Sequence, residues 1–235
     1  MKKQLINPLL GASAFAAMIF AATPQAQAIT ITYDLSYEFS GGQAPVGPPT
    51  WVQVMITDSG VGSVTLQFNN VGLTLNENVV WAGVNLADAY RGALLFSPVT
   101  KSGVFDAPII DQQTGSQTSG AGTYKADGDG YFDVAFSFAV GGRANEGFGS
   151  GETATFTITS TVGGLDASDF DLTSATGGAN GVWLAAAHVQ NTTGAGAGGS
   201  GWIGATTVPD GGSTIALLGS AMLGAGLLRR RLGKA

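Results

Sequence analysis

The sequence contains no cysteine, only one histidine, and few charged residues. The absence of cysteine among the 235 residues excludes a disulfide framework, thiol catalysis and thiolate metal sites. A single imidazole cannot build a tetrahedral zinc site either, so His188 is interpreted as a structural residue. Charged residues make up 11% of the chain, less than half the share of about 25% in an ordinary soluble domain. This composition favours an exported all-β protein over a cytosolic enzyme.

The charges that are present are unevenly distributed. Six of the 10 lysines and arginines lie close to the two ends of the chain. Residues 29–210 contain the other four together with all 16 acidic residues, which gives this part a net charge of −12. Nucleic acid phosphates would repel so acidic a surface, so nucleic acid is excluded as a partner. Cations, basic partners or simple solubility are compatible with it.

The N-terminus has the three parts of a secretory signal peptide. Lys2 and Lys3 precede an apolar run from Leu9 to Ala22, and the small-residue motif Ala26-Gln27-Ala28 follows. The apolar run is shorter than the roughly 20 residues of an ordinary membrane span. We therefore predict cleavage by signal peptidase after Ala28, with an uncleaved N-terminal anchor as the alternative.

The C-terminus combines an uncharged segment with a cluster of arginines. Residues 213–228 contain no charged side chain, and Arg229, Arg230 and Arg231 follow directly. As a helix this segment reaches roughly 24 Å, short of the roughly 30 Å hydrocarbon core, and the flanking arginines can extend to the interface. The positive-inside rule places the arginines in the cytoplasm and the bulk of the chain outside. A plain tail anchor is the alternative interpretation.

A five-residue motif directly precedes this segment. Its residues are Val208, Pro209, Asp210, Gly211 and Gly212. Together with the apolar segment and the arginines, the motif resembles the PEP-CTERM/VPDSG-CTERM sorting signals of Gram-negative bacteria. Gly211 stands where the named pentapeptide has serine, a change that keeps the tight turn. The resemblance implies recognition and removal by an exosortase, a membrane protease or transpeptidase, and an association with exopolysaccharide and biofilm.

The body between the two ends is predicted to be all-β. Short segments that alternate apolar with polar residues are separated by Gly, Asn and Asp, a pattern typical of antiparallel strands. We predict a signal peptide at 1–28, an antiparallel β-sandwich of jelly-roll type at 29–204, and a sorting signal with a transmembrane helix at 205–235. The predicted strands are Ile29–Phe39, Trp51–Thr57, Ser63–Phe68, Val79–Leu86, Ala93–Phe96, Tyr131–Val140 and Thr153–Ser160.

A glycine-rich stretch, Gly194–Gly201, lies close to the end of the body. Its composition is typical of a flexible linker, which would hold the body away from the membrane. The Trp202-Ile203 pair that follows favours packing of part of this stretch onto the domain.

The segment Asp127–Asp133 is the sharpest local motif of the body. The carboxylates of Asp127, Asp129 and Asp133 surround two glycines and could converge on Ca²⁺, which takes six to eight oxygen ligands. The alternative is a hairpin turn in which aspartates cap backbone amides ahead of a strand that begins at Tyr131. No cofactor other than this Ca²⁺ is expected.

Two further sets of residues bear on carbohydrate chemistry. Asp169 and Asp171 are spaced as on one face of a strand, and a solvated loop is favoured over a glycosidase pair. Sugars can also be stacked by tryptophan side chains, although a sandwich core needs them too. The four tryptophans are Trp51, Trp81, Trp183 and Trp202.

Three functions are compatible with these features. The first is a non-enzymatic structural protein of the cell surface, outer membrane or extracellular matrix, anchored transiently in the inner membrane and associated with exopolysaccharide. The second is a calcium-assisted carbohydrate-binding or adhesion module. The third, a glycan-active enzyme, has no catalytic motif to support it, and we expect no enzyme.

Overall fold

Antiparallel β-structure makes up the regular part of the body. The computed structural model describes residues 28–74, 76–114, 124–127, 129–140, 147–178, 181–193 and 198–205. In these ranges the chain forms strands and two short 3₁₀ turns, Asp88–Tyr90 and Ala167–Phe170. All strand pairings are antiparallel. The predicted all-β class and antiparallel pairing are therefore confirmed.

The strands form two large sheets and one hairpin. In chain order the strands are β1 (Thr30–Leu35), β2 (Tyr37–Glu38), β3 (Val52–Gly60), β4 (Ser63–Asn69), β5 (Asn78–Val84), β6 (Leu94–Phe96), β7 (Thr100–Ser102), β8 (Ile109–Gln112), β9 (Tyr124–Ala126), β10 (Asp129–Phe132), β11 (Val134–Ser137), β12 (Phe148–Gly149), β13 (Thr153–Ser160), β14 (Ala185–Gln190) and β15 (Ser200–Ala205). Sheet I has the order β1-β3-β4-β13-β6, with β7 also beside β13. Sheet II has the order β2-β15-β14-β5-β11-β8, with β12 also beside β5, and β9 pairs with β10 separately.

Sheet I follows the alternation of its sequence. In β4 the side chains of Val64, Leu66 and Phe68 are buried, whereas the intervening residues are half-buried. The same alternation recurs in β3 and β13. Since successive side chains of a strand point to opposite faces, one face of sheet I contributes apolar side chains to the core and the other carries polar ones.

Sheet II is buried on both faces near its centre. Six of the seven residues of β5 are buried, and only Trp81 is half-buried. Three of the six residues of β14 are buried alanines. A strand that is buried on both sides needs a layer on each side. Here sheet I covers the inner face, and part of the outer face lies under a second group of apolar residues.

The two sheets share one hydrophobic core. Phe68 of sheet I packs edge-on against Phe136 of sheet II, with ring centroids 4.9 Å apart. Phe156 of sheet I lies 5.2 Å from the same ring. The jelly-roll type is not confirmed, because β1, β3 and β4 lie side by side in chain order, as in a meander.

Two local predictions differ from the structure. The strand predicted at Tyr131–Val140 is divided between β10 and β11 at Asp133, whose backbone continues neither strand. The flexible linker predicted at Gly194–Gly201 is wrong for its last two residues, which begin β15 and pair with β14. The stretch therefore joins two paired strands of sheet II and is a connection within the body.

Candidate functional site

A row of aromatic side chains crosses the outer face of sheet II. His188 in the middle strand lies opposite Trp81 on one side and Trp202 on the other. The rings of His188 and Trp202 stack at 4.5 Å with an angle of 8° between their planes, and the centroid of Trp81 lies 5.3 Å from that of Trp202. All three side chains are half-buried. We call Trp81, His188 and Trp202 the aromatic strip.

Beside the aromatic strip lies a row of very small residues. Gly83, Ala186 and Gly204 lie opposite one another across β5, β14 and β15. A Cβ atom on Gly83 would lie 2.3 Å from Trp81 and 2.9 Å from Phe132. A Cβ atom on Gly204 would lie 2.7 Å from the ring of Trp183. The missing side chains leave room for these rings to lie against the backbone of the sheet.

The residues that cover this row form a second, smaller core. Phe39, Ala126, Phe132, Trp183 and Ala186 are buried together, and Trp81, Tyr124 and Trp202 pack at the edge. Trp183 stacks on Phe39 at 4.5 Å, and Phe132 meets Trp81 edge-on at 5.7 Å. The hairpin of β9 and β10 contributes Tyr124, Ala126 and Phe132. The aromatic strip is thus the half-buried margin of a packed aromatic layer, which fixes its rings in place.

The histidine of the strip has altered proton affinity. Burial lowers the pKa of His188, and the nearby Asp127 carboxylate partly opposes that effect. Asp127 occupies the turn between β9 and β10 with φ +43°, a left-handed conformation that aspartate tolerates better than most residues. The ring is therefore neutral at pH 7 and can both donate and accept a hydrogen bond.

The segment Asp127–Asp133 is a hairpin turn followed by a strand. Asp127 is exposed, while Asp129 and Asp133 are each only 3% exposed. The pairing of β9 with β10 places Asp127 at the hairpin turn, and the strand that follows begins at Asp129, two residues before the predicted start at Tyr131. Within the described residues, no group of three or more acidic or histidine side chains is placed to hold a metal ion. Calcium binding by Asp127, Asp129 and Asp133 stays a prediction.

Asp133 has structural partners of its own. One carboxylate oxygen lies 2.8 Å from Nε of Arg91, and the other accepts a hydrogen bond from the Leu86 amide at 2.9 Å. Burial raises the pKa of Asp133, although both partners act in the opposite direction. Arg91 also reaches the exposed Asp88 at 2.8 Å. The sequence motif gave no sign of Arg91, because 42 positions separate it from Asp133 and only the fold brings them together.

The paired carboxylates and the other tryptophans also have structural roles. Asp169 accepts a hydrogen bond from the Asp166 amide at 2.9 Å in a capping box, and Asp171 lies 3.4 Å from the Tyr33 hydroxyl. Trp51 is buried and donates from its indole nitrogen to the Gly47 carbonyl at 2.7 Å. Since Trp183 is buried too, Trp81 and Trp202 are the tryptophans that retain partial exposure.

The targeting segments fall outside the described residues. These are the predicted signal peptide with Ala26, the sorting motif Val208–Gly212, and the three arginines 229–231. Of the predicted cleavage site, Ala28 is described, and it is exposed. The part of the chain that the structure covers has no helix of sufficient length and hydropathy to cross a membrane. The last described strand, β15, ends at Ala205.

Comparison with known proteins identifies the tail. A family model described as the VPDSG-CTERM motif matches residues 207–232. No curated protein and no solved structure matches the chain. The motif implies export, exosortase processing in general, and association with the cell surface or membrane. The matched residues lie entirely in the tail, so the match does not describe the body.

Proposed function

We propose that this chain is a structural protein of the cell surface or extracellular matrix that associates with exopolysaccharide. A signal peptide directs it across the inner membrane, the apolar segment 213–228 holds it there, and an exosortase-like protease releases the body. The observation that carries this proposal is the VPDSG-CTERM match at 207–232. It is supported by the position of the matched segment, which begins two residues after β15 ends.

The contacts of the carboxylate side chains in the body support a non-catalytic role. The acidic side chains that resembled a glycosidase pair take part in a capping box and a contact with tyrosine. Among the described residues, Asp133 is the carboxyl group with a raised pKa, and it is paired with Arg91 and with a backbone amide. A carboxylate that is already paired in this way is held by its partners and is poorly placed to act as a general acid or base.

The sorting step is tested by replacing Val208–Gly212 with five residues of a Gly/Ser sequence, which keeps the length of the tail. We expect the full-length protein to accumulate in the inner membrane, because the apolar segment still anchors it while the recognition motif is gone. Pulse-labelling followed by membrane fractionation measures this. The matched control changes Arg229, Arg230 and Arg231 to lysine, which keeps the positive charge and should leave release unchanged. Normal release after the Gly/Ser replacement would contradict the proposal.

A second candidate function is carbohydrate binding at the aromatic strip. The observation that favours it is the pair of half-buried indoles, Trp81 and Trp202, held 5.3 Å apart beside a neutral histidine. Aromatic faces that retain partial exposure can pack against the apolar faces of sugar rings, and His188 offers a hydrogen bond to a hydroxyl group. Nothing in this arrangement requires a metal ion.

Affinity electrophoresis in gels containing the polysaccharide of the producing bacterium tests this candidate. We expect Trp202→Ala to weaken retention roughly twofold to 13-fold, the equivalent of about 0.5–1.5 kcal/mol for one aromatic contact. The control is Phe96→Ala, a half-buried aromatic residue of sheet I, which should bind like the unchanged protein. Equal retention of all three proteins would reject the aromatic strip. A loss of binding in EDTA that Ca²⁺ restores would instead support the calcium hypothesis.

A further inference from the structure

Ile29, the residue that follows the predicted cleavage point, forms two hydrogen bonds with Asp58. The backbone N–H of Ile29 donates to the Asp58 carboxylate at 3.0 Å. In return, the backbone N–H of Asp58 donates to the Ile29 carbonyl at 2.9 Å. Ala28 is exposed and Ile29 is 48% exposed. The peptide bond between them therefore lies at the surface, directly beside a carboxylate.

The Asp58 carboxylate is held in place by the body. Its second oxygen accepts a hydrogen bond from the backbone N–H of Ala167 at 2.7 Å. Ala167 is the first residue of a 3₁₀ turn that a capping box stabilises. That turn is tied to the rest of the core by the Tyr33 hydroxyl, which donates to the Phe170 carbonyl at 2.9 Å. The carboxylate is thus fixed in position before any partner arrives.

Asp58 has no basic partner in the part of the chain that is described. The ion pairs in this part of the chain are formed by Arg91, which contacts Asp88 and Asp133. The body is also strongly acidic, with a net charge of −12 across residues 29–210. A cation placed beside Asp58 would satisfy its charge and reduce the repulsion among the acids.

We infer that removal of the first 28 residues creates this cation. Hydrolysis of the Ala28–Ile29 bond consumes one water molecule, leaving a carboxylate on Ala28 and an ammonium group on Ile29. A free α-amino group has a pKa of about 7.7–8.0, so most of it is charged at pH 7. The Ile29 nitrogen already lies 3.0 Å from Asp58, and cleavage therefore replaces a neutral amide donor by an ammonium group and creates an ion pair. The inference rests on the proposed export route, because signal peptidase supplies the cut.

The ion pair fastens the first strand of the mature protein. β1 lies at the edge of sheet I, where it pairs with β3. The ends of edge strands open more readily than central strands, and amide exchange reports this opening. An exposed ion pair stabilises by about 0.2–1 kcal/mol, so we expect exchange of the β1 amides to slow by about 1.4-fold to 5-fold when the ammonium group is present.

The experiment compares three forms of the chain that differ only at their N-terminus. The first begins at Ile29 with a free amine, the second begins at Ile29 with an acetylated amine, and the third begins at Ala28; all continue to Ala235. Each is made with Asp58 and with Asp58→Asn. Hydrogen exchange should show slower β1 amides in the first form than in the other two, and this difference should vanish in Asp58→Asn. Asp58→Asn is expected to lower stability in all three forms, and only the difference between forms matters.

The outcomes separate the ion pair from the export route. Equal exchange in all three forms with Asp58 intact would overturn the ion pair, whatever happens to the signal peptide in the cell. A difference that persists in Asp58→Asn would overturn it as well, because the ammonium group would then act elsewhere. Mass spectrometry of the protein exported by cells tests the route independently. A mature chain that begins at a residue other than Ile29 would reject the predicted cleavage and leave the exchange result standing.

Discussion

The outer faces of the two sheets are built on opposite principles. The outer face of sheet I carries threonine, glutamine and asparagine side chains in register. Thr57 lies opposite Thr30 on one side and Thr65 on the other, and Thr157 completes the row. The outer face of sheet II carries glycine and alanine in register, with aromatic rings packed upon them.

A second layer of side chains can pack on a sheet only where the sheet carries residues small enough to leave space for it. On sheet I the polar side chains bond to each other: Gln67 donates to Thr155 at 3.0 Å, and Gln53 donates to Asp34 at 2.9 Å. Such a face is satisfied in water and needs no cover. On sheet II the small residues leave backbone open to close approach, and rings fill the space. The candidate carbohydrate site is the margin of that second layer.

The largest loss of stability is expected when an aromatic ring is removed from the outer layer of sheet II. Trp183→Ala should cost about 3–5 kcal/mol of unfolding free energy, because it deletes a buried ring and leaves a cavity above Gly204. Thr32→Ala on the polar face of sheet I should change stability by no more than about 0.5 kcal/mol. Urea unfolding followed by circular dichroism compares the two. If Trp183→Ala costs no more than Thr32→Ala, the aromatic layer does not stabilise the fold.

A smaller loss of stability is expected when a methyl group is added beneath the aromatic rings on sheet II. Gly204→Ala places a Cβ atom 2.7 Å from the Trp183 ring and should cost about 1–3 kcal/mol, as overpacking does. Gly149 in β12 is the matched control, because the nearest atom to its Cβ would lie at 3.6 Å, an ordinary contact. Thermal unfolding should show a lower midpoint for Gly204→Ala alone. Equal midpoints would mean that the ring can move aside without loss.

The strands of sheet I could be predicted from the sequence more closely than those of sheet II. β4 and β13 alternate strictly, since one face is apolar and the other polar, and period-two patterns report that directly. β14 and β15 consist largely of alanine and glycine, which have low β-propensity. Their small side chains are explained by rings that come from Phe39, Phe132 and Trp183. That reason is tertiary and is invisible to a local pattern.

The same limit applies to the candidate site. The tryptophans could be found one by one in the sequence, but their arrangement depends on register, which places His188 between Trp81 and Trp202. The division of the predicted Tyr131–Val140 strand has a similar cause. At the break, the Asp133 side chain pairs with Arg91, a residue that is far away in the chain. The tail, in contrast, is a linear motif and could be recognised without any structure.

A pH-dependent effect just below pH 6.5 should arise on sheet II, which carries the single histidine. The pKa of His188 is lowered in the folded protein, so between that value and the usual 6.5 the unfolded chain binds more protons than the folded one. Stability therefore rises with pH across this interval and is lost as the pH falls below about 6.5. Urea midpoints measured from pH 5 to pH 7.5 should show this slope, which His188→Gln should reduce. Asp133 complicates the acid end, because its raised pKa adds a slope of the opposite sign above pH 3.8. An unchanged slope in His188→Gln would place the titration in another group.

The smallest effect is expected on sheet I. Thr65→Val keeps the shape of the side chain and the β-propensity of the strand, so unfolding free energy should change by no more than about 0.5 kcal/mol. The variant exposes one more methyl group in the middle of the threonine row, so solubility is the quantity that should decline. Unfolding and solubility curves recorded together test both statements. A loss of more than 1 kcal/mol would show that the polar row stabilises the sheet cooperatively.

If residues 213–228 anchor the chain in the inner membrane as proposed, the end of β15 at Ala205 limits the distance between the body and the bilayer. Ala205 is buried beside β14, and only residues 206–212 separate it from the predicted membrane segment that begins at Ser213. The eight Cα–Cα steps from Ala205 to Ser213 reach about 29 Å at most, whereas a body of this size is about 40 Å across. A connection shorter than the diameter of the body prevents the body from inverting relative to the membrane. The end of the body at which β15 terminates would therefore face the bilayer until release. This surface would have a high effective concentration toward neighbouring membrane proteins. In that anchored form, a protease that cuts the connection would have to act in the narrow space between this end of the body and the bilayer.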